Sequence, residues 1–443
     1  MSRNIDITPY KEMIEQTDSY EYGGKVSQVV GLTVEAEGLT VKMGDVCRIY
    51  TTPNGDYTLS EVVGFKDNKV LLMPFGDLSG VGPNNVVIST NRPLMVPVGW
   101  NFLGRTLDAL GRPMDGLGPI RADAQYSITN EPPNPITRKR IHEILPLGIK
   151  ALDGLLTIGR GQRVGIFAGS GVGKSTLLGM IARNALADIN VITLVGERGR
   201  EVRDFIERDL GEEGLARSVL VIATSDQPAL LRIKAAQVGT SIAEYFRDQG
   251  HDVLLLMDSL TRFSMAQREI GMATGEPPVS RGYTPSVFSI LPQLLERSGT
   301  SDKGSITGLY TVLVEGDDMN EPIADTVRGI LDGHIVLSRR LAHSNHYPAI
   351  DILQSISRLM SEIAPEEQKE AAGFIKNIMA TYSEAQDLIS IGAYRAGSNR
   401  NIDLAIALID QVNEFLRQRV GENYSLAETQ QLMQDIYERR NEA

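Results

Sequence analysis

The run Ala168-Gly169-Ser170-Gly171-Val172-Gly173-Lys174-Ser175-Thr176 constrains this chain more than any other stretch. Residues 163–167 before it read as a short buried strand, and residues 176–182 after it as the first turns of a helix. Strand, glycine-rich turn and helix, in that order, turn successive backbone N–H groups toward phosphate oxygens, and the helix N-terminus adds positive potential there. Lys174 would reach the β- and γ-phosphates of a nucleotide, and the Ser175 hydroxyl a Mg²⁺ ion. Gly169, Ser170, Gly171, Val172, Gly173 and Thr176 complete the expected binding set. Ala168 stands where the pattern G-x-x-x-x-G-K-[ST] begins with glycine. A methyl group is tolerable there, because the closest phosphate approach comes later in the loop.

The rest of the chain falls into distinct regimes. Residues 1–20 carry Ile5, Ile7, Tyr10, Met13 and Ile14 among charges and predict one short helix at 9–17, either a frayed terminus or a partner-docking segment. Short β-rich runs punctuated by glycine follow at 24–31, 41–49, 59–65 and 69–73, a spacing that predicts a small closed barrel in a domain over 21–92. Basic and aromatic residues are not interleaved in it, so it reads as an oligomerisation collar rather than a nucleic-acid-binding barrel. The net charge of −12 also argues against nucleic acid as the main ligand. Cys47, the single cysteine, excludes an internal disulfide and is expected as a buried core thiol. No apolar run approaches a membrane span and no secretory signal opens the chain, so a cytosolic protein is expected.

Residues 93–147, rich in glycine and proline, read as a connecting segment that opens a domain running to 360. From 148 to 359 strands alternate with helices, the pattern of a mostly parallel sheet covered on both faces. The expected strands lie at 190–196, 218–224, 253–258, 307–314 and 334–338, with helices at 201–210 and 228–249. Over 361–443 the chain is helical: Phe374, Ile375, Ile378, Met379 and Tyr382 share one face, as do Leu408, Val412, Phe415 and Leu416. Ser425 and Glu428 form a capping box that starts the last helix. The fold class is therefore α/β, with an N-terminal barrel, a central phosphate-loop domain and a C-terminal helical domain.

Two carboxylates are candidates for chemistry. Asp258 ends an apolar strand downstream of the loop, where ligands of parallel sheets bind, and can hold Mg²⁺ through its water shell. Glu197, within Gly196-Glu197-Arg198-Gly199-Arg200-Glu201, also ends a strand and can polarise an attacking water, with Glu201 as its rival. His343 and His346 lack an accompanying ligand set and read as ordinary histidines, and residues 265–269 as part of a packed amphipathic helix.

With these residues in place the chain resembles the rotary hexameric ATPases related to the catalytic subunits of F- and V-type ATP synthases, over nearly its whole length. Gly-Glu-Arg at 196–198 and the run Pro348-Ala349-Ile350-Asp351-Ile352-Leu353-Gln354-Ser355-Ile356-Ser357 carry that likeness. The segments at 258–270, 275–278, 282–288, 314–322 and 391–394 resemble type III protein export ATPases more closely. The acidic lever motif of synthase β subunits is absent. The run Gly-Leu-x-x-Glu-Ala-x-Gly at 31–38 and Cys47 look more like the flagellar branch than the virulence-associated one.

The resemblance implies a RecA-like core and Mg²⁺-dependent ATP hydrolysis by a homohexamer that energises protein export. It implies Tyr347 stacked on adenine, Tyr394 as a second wall, and Arg358 as an arginine supplied from the neighbouring subunit, with Arg339 or Arg340 as substitutes. It further implies a stator-like regulator at the N-terminal segment and a coiled-coil stalk protein in the pore, faced by the loop with Pro277, Pro278 and Tyr283. Docking to a membrane export gate, with export substrates and chaperones, would place the protein peripherally at the inner face of the cytoplasmic membrane. A Rho-type nucleic-acid translocase and a non-catalytic nucleotide scaffold are the rival readings.

Overall fold

The computed structural model describes residues 23–52, 55–314, 316 and 318–441. The helix expected at 9–17 and the docking segment at 1–20 lie outside the described residues. What is described divides into two compact units, one up to Leu94 with Met272–Glu276, the other from Met95 onward.

The first unit is a closed six-stranded barrel in the order β1-β2-β5-β4-β3-β6, of Gly23–Val30, Thr33–Glu37, Asp45–Tyr50, Tyr57–Lys66, Lys69–Pro74 and Val86–Pro93 for β1 to β6. The runs that suggested strands are all present, and β2 and β6 complete the closure. Asp67 and Asn68, both at positive φ, make the two-residue turn between Lys66 and Lys69. Val26, Val34, Ile49, Val62, Leu72 and Val87 fill the interior with Cys47. That thiol is wholly buried, and burial pushes its pKa up to about 11, so it behaves as a small apolar side chain.

The second unit is built on a nine-stranded sheet. Its strands are β8 (Thr106–Asp108), β10 (Arg163–Ala168), β11 (Ile189–Glu197), β12 (Ser218–Thr224), β13 (Asp252–Asp258), β14 (Gly299–Thr300), β15 (Ser305–Leu313), β16 (Gly333–Leu337) and β17 (Ile350–Ser357). The order is β17-β16-β10-β15-β13-β11-β12-β8, with β14 paired to β15. Only β14 and β17 run antiparallel. β13 lies between β11 and β15 and is buried nearly throughout, which explains its continuous apolar run.

The helices of this unit, in chain order, are α1 (Lys150–Leu155), α2 (Lys174–Asn184), α3 (Gly199–Asp204), α4 (Gly211–Ala216), α5 (Ala229–Asp248), α6 (Leu260–Ala273), α7 (Pro285–Leu295), α8 (Pro322–Ile330), α9 (Arg339–His343), α10 (Met360–Ile363), α11 (Glu366–Ser390), α12 (Arg400–Leu416) and α13 (Leu426–Glu438). The helix expected over 201–210 is a short α3 followed by a π-helical turn at Phe205–Leu210. Ile375, Ile378, Leu408, Val412, Phe415 and Leu416 are buried in one core with α1, as their spacing predicts. The capping box is present: Ser425 Oγ accepts from the Glu428 N–H at 3.2 Å, and Glu428 Oε2 accepts from the Ser425 N–H at 2.8 Å. A Cβ on Gly154 of α1 would lie 2.6 Å from the Met433 sulfur, so α13 sits almost on the α1 backbone.

The glycine- and proline-rich segment is more than a connector. β7 (Met95–Val98) pairs with β9 (Ala124–Ser127), and β8 extends the large sheet beside β12. Three-residue strands carry too little alternation to be read from sequence. The segment is fastened by a buried ion pair. Arg297 donates to Glu244 Oε1 at 2.8 Å and Oε2 at 2.7 Å, to Ser241 Oγ, and to the Ile128 carbonyl. Asn130 Nδ2 adds a bond to Glu244 Oε2 at 2.8 Å.

Glu244 is fully buried and Arg297 is 4% exposed, so removing one partner strands a charge in the core. Glu244→Ala should lower unfolding free energy by about 3–5 kcal/mol. Urea denaturation should show Glu244→Ala/Arg297→Met as less destabilised than Glu244→Ala alone. A loss under about 1 kcal/mol would mean water reaches the pair.

Candidate nucleotide site

Three sheet strands present the site from their carboxyl ends. The phosphate loop leaves β10 at Ala168 and enters α2 at Lys174. Gly171 and Gly173 have φ of 79° and 87°, a left-handed conformation that glycine alone adopts readily. No side chain caps the first turn of α2, so its N–H groups remain available to an anion. Ala168, expected as a tolerated departure, is buried as the last residue of β10.

Lys174 reaches across β15 to the ends of the next two strands. Its ammonium donates to Asp258 Oδ1, and to Glu197 Oε1 at 3.4 Å. Thr311 of β15 donates to the same Asp258 oxygen at 2.6 Å and fixes the carboxylate. Glu197 is aimed by a break in register: β11 shifts against β12 between Val195 and Glu197, with Gly196 at φ 73°. A Cβ on Gly196 would lie 2.9 Å from Cβ of Arg262, so glycine is required for packing as well as for φ. Burial first, then the Asp258 charge, pushes the Glu197 pKa up to about 7, against the pull of Lys174. Burial works against the Lys174 ammonium, but Asp258 and Glu197 outweigh it and hold its pKa above the ordinary value.

Two cavities meet at the loop and share Gly171, Gly173 and Thr176. The one on the phosphate side measures about 560 Å³ and takes in Gly169, Ser170, Lys174, Ser175, Glu197 and the rival Glu201. Arg198, Arg208, Arg262 and Arg339 also line it, so the site is richer in cations than the loop alone suggests. Arg339 lies against the loop itself: a Cβ on Gly169 would sit 2.6 Å from its guanidinium. Arg208 is offered by the π-helical turn, and its guanidinium binds Asp209 at 2.9 Å. Arg198 and Arg262 fall within motifs that carry the resemblance and Arg339 is an alternative to Arg358, whereas no sequence signal marks Arg208.

The second cavity, about 980 Å³, is lined by Tyr347, Pro348, Leu177, Met180, Lys150 and Tyr424, among others. The Tyr347 ring packs on the loop, 3.4 Å from where a Gly173 Cβ would be, and its carbonyl accepts the Gln418 N–H at 3.0 Å. Tyr394 is not brought to either cavity. Its hydroxyl donates to Asp403 Oδ1 at 2.9 Å and the Asn399 carbonyl at 3.0 Å, bracing the start of α12. Tyr424 lines the cavity instead, carried there by the turn that precedes α13.

Arg358 is also remote from the loop of its own chain. Ser357 is level with Gly333 at the start of β16, whereas Ala168 is level with Leu337 at its end. Four residues of strand separate the two levels, roughly 13 Å, and the exposed Arg358 donates to the Arg328 carbonyl at 3.3 Å. The reversed direction of β17 causes this. Arg340 is exposed, His343 is exposed, and His346 is buried with its pKa lowered by burial.

For a divalent cation the residues fit oxygen chemistry: Ser175 lines the phosphate-side cavity and the Asp258 carboxylate stands beside Lys174. Among the described residues no group of three or more His, Cys, Asp or Glu is arranged to hold a metal. An ion here would draw its other ligands from phosphate and water, as Mg²⁺ does.

The family model for the nucleotide-binding domain of the ATP synthase alpha/beta family matches residues 148–357, and that for its beta-barrel domain matches 26–91. The model for the T3SS EscN ATPase C-terminal domain matches 364–435. The flagellum-specific ATP synthase of Bacillus subtilis is 54% identical over 94% of this chain and 96% of its own length. The type 3 secretion system ATPase of Xanthomonas euvesicatoria is 52% identical over 93% of each chain. The assembled ATPase EscN, solved with its central stalk EscO from the enteropathogenic E. coli type III secretion system, is 45% identical with a TM-score of 0.87, covering 93% of this chain and 99% of its own.

Gly171 has no neighbour within 4 Å of a Cβ, so Gly171→Ala tests backbone conformation alone. A left-handed non-glycine residue costs about 1–2 kcal/mol. ATP affinity should fall roughly 10-fold in titration with a fluorescent nucleotide, with the melting temperature nearly unchanged. Unaltered affinity would mean that the loop binds phosphate in another conformation.

Proposed function

This chain belongs to the family of flagellum-specific and type III secretion ATPases, and from that premise we propose that it hydrolyses Mg²⁺-bound ATP as a ring of like subunits and so drives export of flagellar proteins. One observation carries the catalytic reading: Lys174, Asp258 and Glu197 converge at the mouth of the phosphate loop, Glu197 and Lys174 being 3.4 Å apart.

The geometry supports the following residue roles. Backbone N–H groups of 169–175 orient the polyphosphate, and Lys174 transfers its hydrogen bonds from the two carboxylates to the β- and γ-phosphate oxygens. Ser175 and Asp258 would hold Mg²⁺, which when bound would supply positive charge to offset that building on the γ-phosphoryl group. Glu197 accepts a proton as a water oxygen attacks the γ-phosphorus and the bond to the ADP oxygen breaks. Tyr347 stacks on the base. Arg358, too far from its own loop, acts on the phosphoryl group of the adjacent subunit, where a planar guanidinium suits the developing charge.

The flagellar assignment rests on the run at 31–38 and on Cys47, since the two kinds of relative are almost equally similar. The solved relative assembled around a central stalk supports a homohexamer with a coiled-coil partner in its pore. A regulator at residues 1–20, a membrane export gate and export substrates with their chaperones complete the proposed partners, over domains at 21–92, 93–360 and 361–443. No helix of the described residues is long and apolar enough to cross a membrane, so residence at the inner membrane face would be peripheral.

Glu197→Gln should bind ATP normally and lose turnover by at least about 100-fold, the lower range for a general base. With a carboxyl pKa near 7, the base is lost as pH falls below that value, so wild-type kcat/KM should drop tenfold per pH unit there and level off above. A flat profile from pH 5.5 to 8, or equal loss of binding and turnover in the variant, would assign Glu197 a structural role.

Arg358→Ala should bind nucleotide and lose roughly 10³-fold or more in turnover. Mixed with Glu197→Gln, some interfaces would pair an intact Glu197 with an intact Arg358, and part of the phosphate release should return. No recovery in mixed rings of verified composition would refute action between subunits.

A further inference from the structure

We propose that Lys150 is a nucleoside-binding residue whose ammonium donates hydrogen bonds to acceptor atoms of the purine held beside Tyr347. The inference rests on reading the larger cavity as the base site of the bound nucleotide. Lys150 opens α1, only 6% of it is exposed, and it lines that cavity together with Tyr347 and Tyr424. Its main-chain N–H donates to Gln418 Oε1 at 2.9 Å, which anchors the residue to the turn after α12.

The ammonium is held by rings rather than by acids. It lies 4.5 Å from the Tyr424 ring centroid and 5.9 Å from that of Phe415. No carboxylate oxygen comes within 4.0 Å of it among the described residues. Glu422 and Glu414 act only from farther away, and burial pulls the ammonium pKa below its ordinary value. A lysine this buried is rare without a partner, and the π faces leave its N–H donors for the cavity.

The neighbours cannot take over this role. Arg417 and Arg419 line the same cavity but are exposed to water. The Gln418 amide is already committed: its oxygen accepts from Lys150, and its nitrogen donates to the Gly148 carbonyl at 2.8 Å and the Glu422 carbonyl at 3.0 Å. Lys150 is thus the buried side chain with donors left for a ligand edge. Three donors and no acceptor match purine ring nitrogens and exclude the exocyclic amine as a partner.

The test compares ATP, 1-deaza-, 3-deaza- and 7-deaza-ATP and inorganic tripolyphosphate by equilibrium titration on wild type, Lys150→Met and Lys150→Arg. Lys150→Met should weaken ATP roughly 10- to 100-fold, the range of one charge-assisted hydrogen bond, while tripolyphosphate binds as to wild type. Lys150→Arg should recover most of the affinity. One deaza analogue should show the same loss on wild type and no further loss on Lys150→Met. The proposal is overturned if Lys150→Met binds ATP normally, if it loses tripolyphosphate equally, or if all three analogues match ATP on wild type. Wild-type ATP affinity unaffected by Lys174→Ala would instead overturn the placement of the nucleotide itself.

Discussion

The contact of Lys174 with Asp258 and Glu197 is what the rest of the second unit exists to hold. Three ionisable groups are drawn out of water at one point, and none is tolerable there alone. Burial works against each charge, yet the lysine is kept protonated by the two carboxylates, while Glu197 is driven toward neutrality by burial and by Asp258. The balance depends on where the three groups are held. Parallel strands set those positions: β10, β11 and β13 end on the same edge, and β15 between them lends Thr311 to orient Asp258. A sheet buried on both faces is the stiffest frame available, which is why β13, with Asp258 at its end, is apolar almost throughout.

Where a signal was local, the chain declared it. The phosphate loop, the Ser425–Glu428 cap, the buried Cys47 and the long helix α5 all depend on neighbours within a few residues, and all are present. Strand ends foretold that Lys174, Glu197 and Asp258 meet, but other meetings of distant segments were less legible. The turn before α13 brings Tyr424 to the cavity beside Tyr347, whereas Tyr394 is spent on Asp403. Arg208 reaches the phosphate side from a π-helical turn, and Arg262 and Arg339 from the starts of two helices. No spacing rule covers such an arrangement. Gly196, read as the end of a strand and part of the Gly-Glu-Arg run, proves also to be the bulge that turns Glu197 inward.

Glycine placement shows the same division between local and distant causes. Gly171 and Gly173 are demanded by backbone conformation, and the loop pattern reveals them. Gly179 and Gly154 are demanded by close approach: a Cβ on Gly179 would stand 2.5 Å from the Asp209 carbonyl, and one on Gly154 2.6 Å from Met433. These two let the π-helical turn settle on α2 and the C-terminal helices settle on α1. The first contact carries Arg208 toward the phosphate side, and the second holds α13, after the turn with Tyr424, against α1. Packing far from the chemistry therefore decides which side chains the nucleotide would meet.

The strand directions also explain why a single chain is an incomplete enzyme under the proposed mechanism. The lysine and both carboxylates lie at the carboxyl edge of the parallel strands, and the loop occupies the space above that edge. β17 runs the other way, so whatever follows its last residue emerges at the opposite edge. No rotamer of Arg358 spans that gap, since an extended arginine side chain reaches only about 7 Å against roughly 13 Å of strand. The same edge strand leaves Leu353 and Ile356 exposed beside it, 45% and 48% respectively, on a border that a lone chain would be expected to shield. An edge that exposes two apolar side chains and is followed by a cation is suited to meet a second copy of the chain. Under the proposed mechanism, antiparallel insertion of β17 would thus separate binding, which one chain could complete, from hydrolysis, which would depend on two.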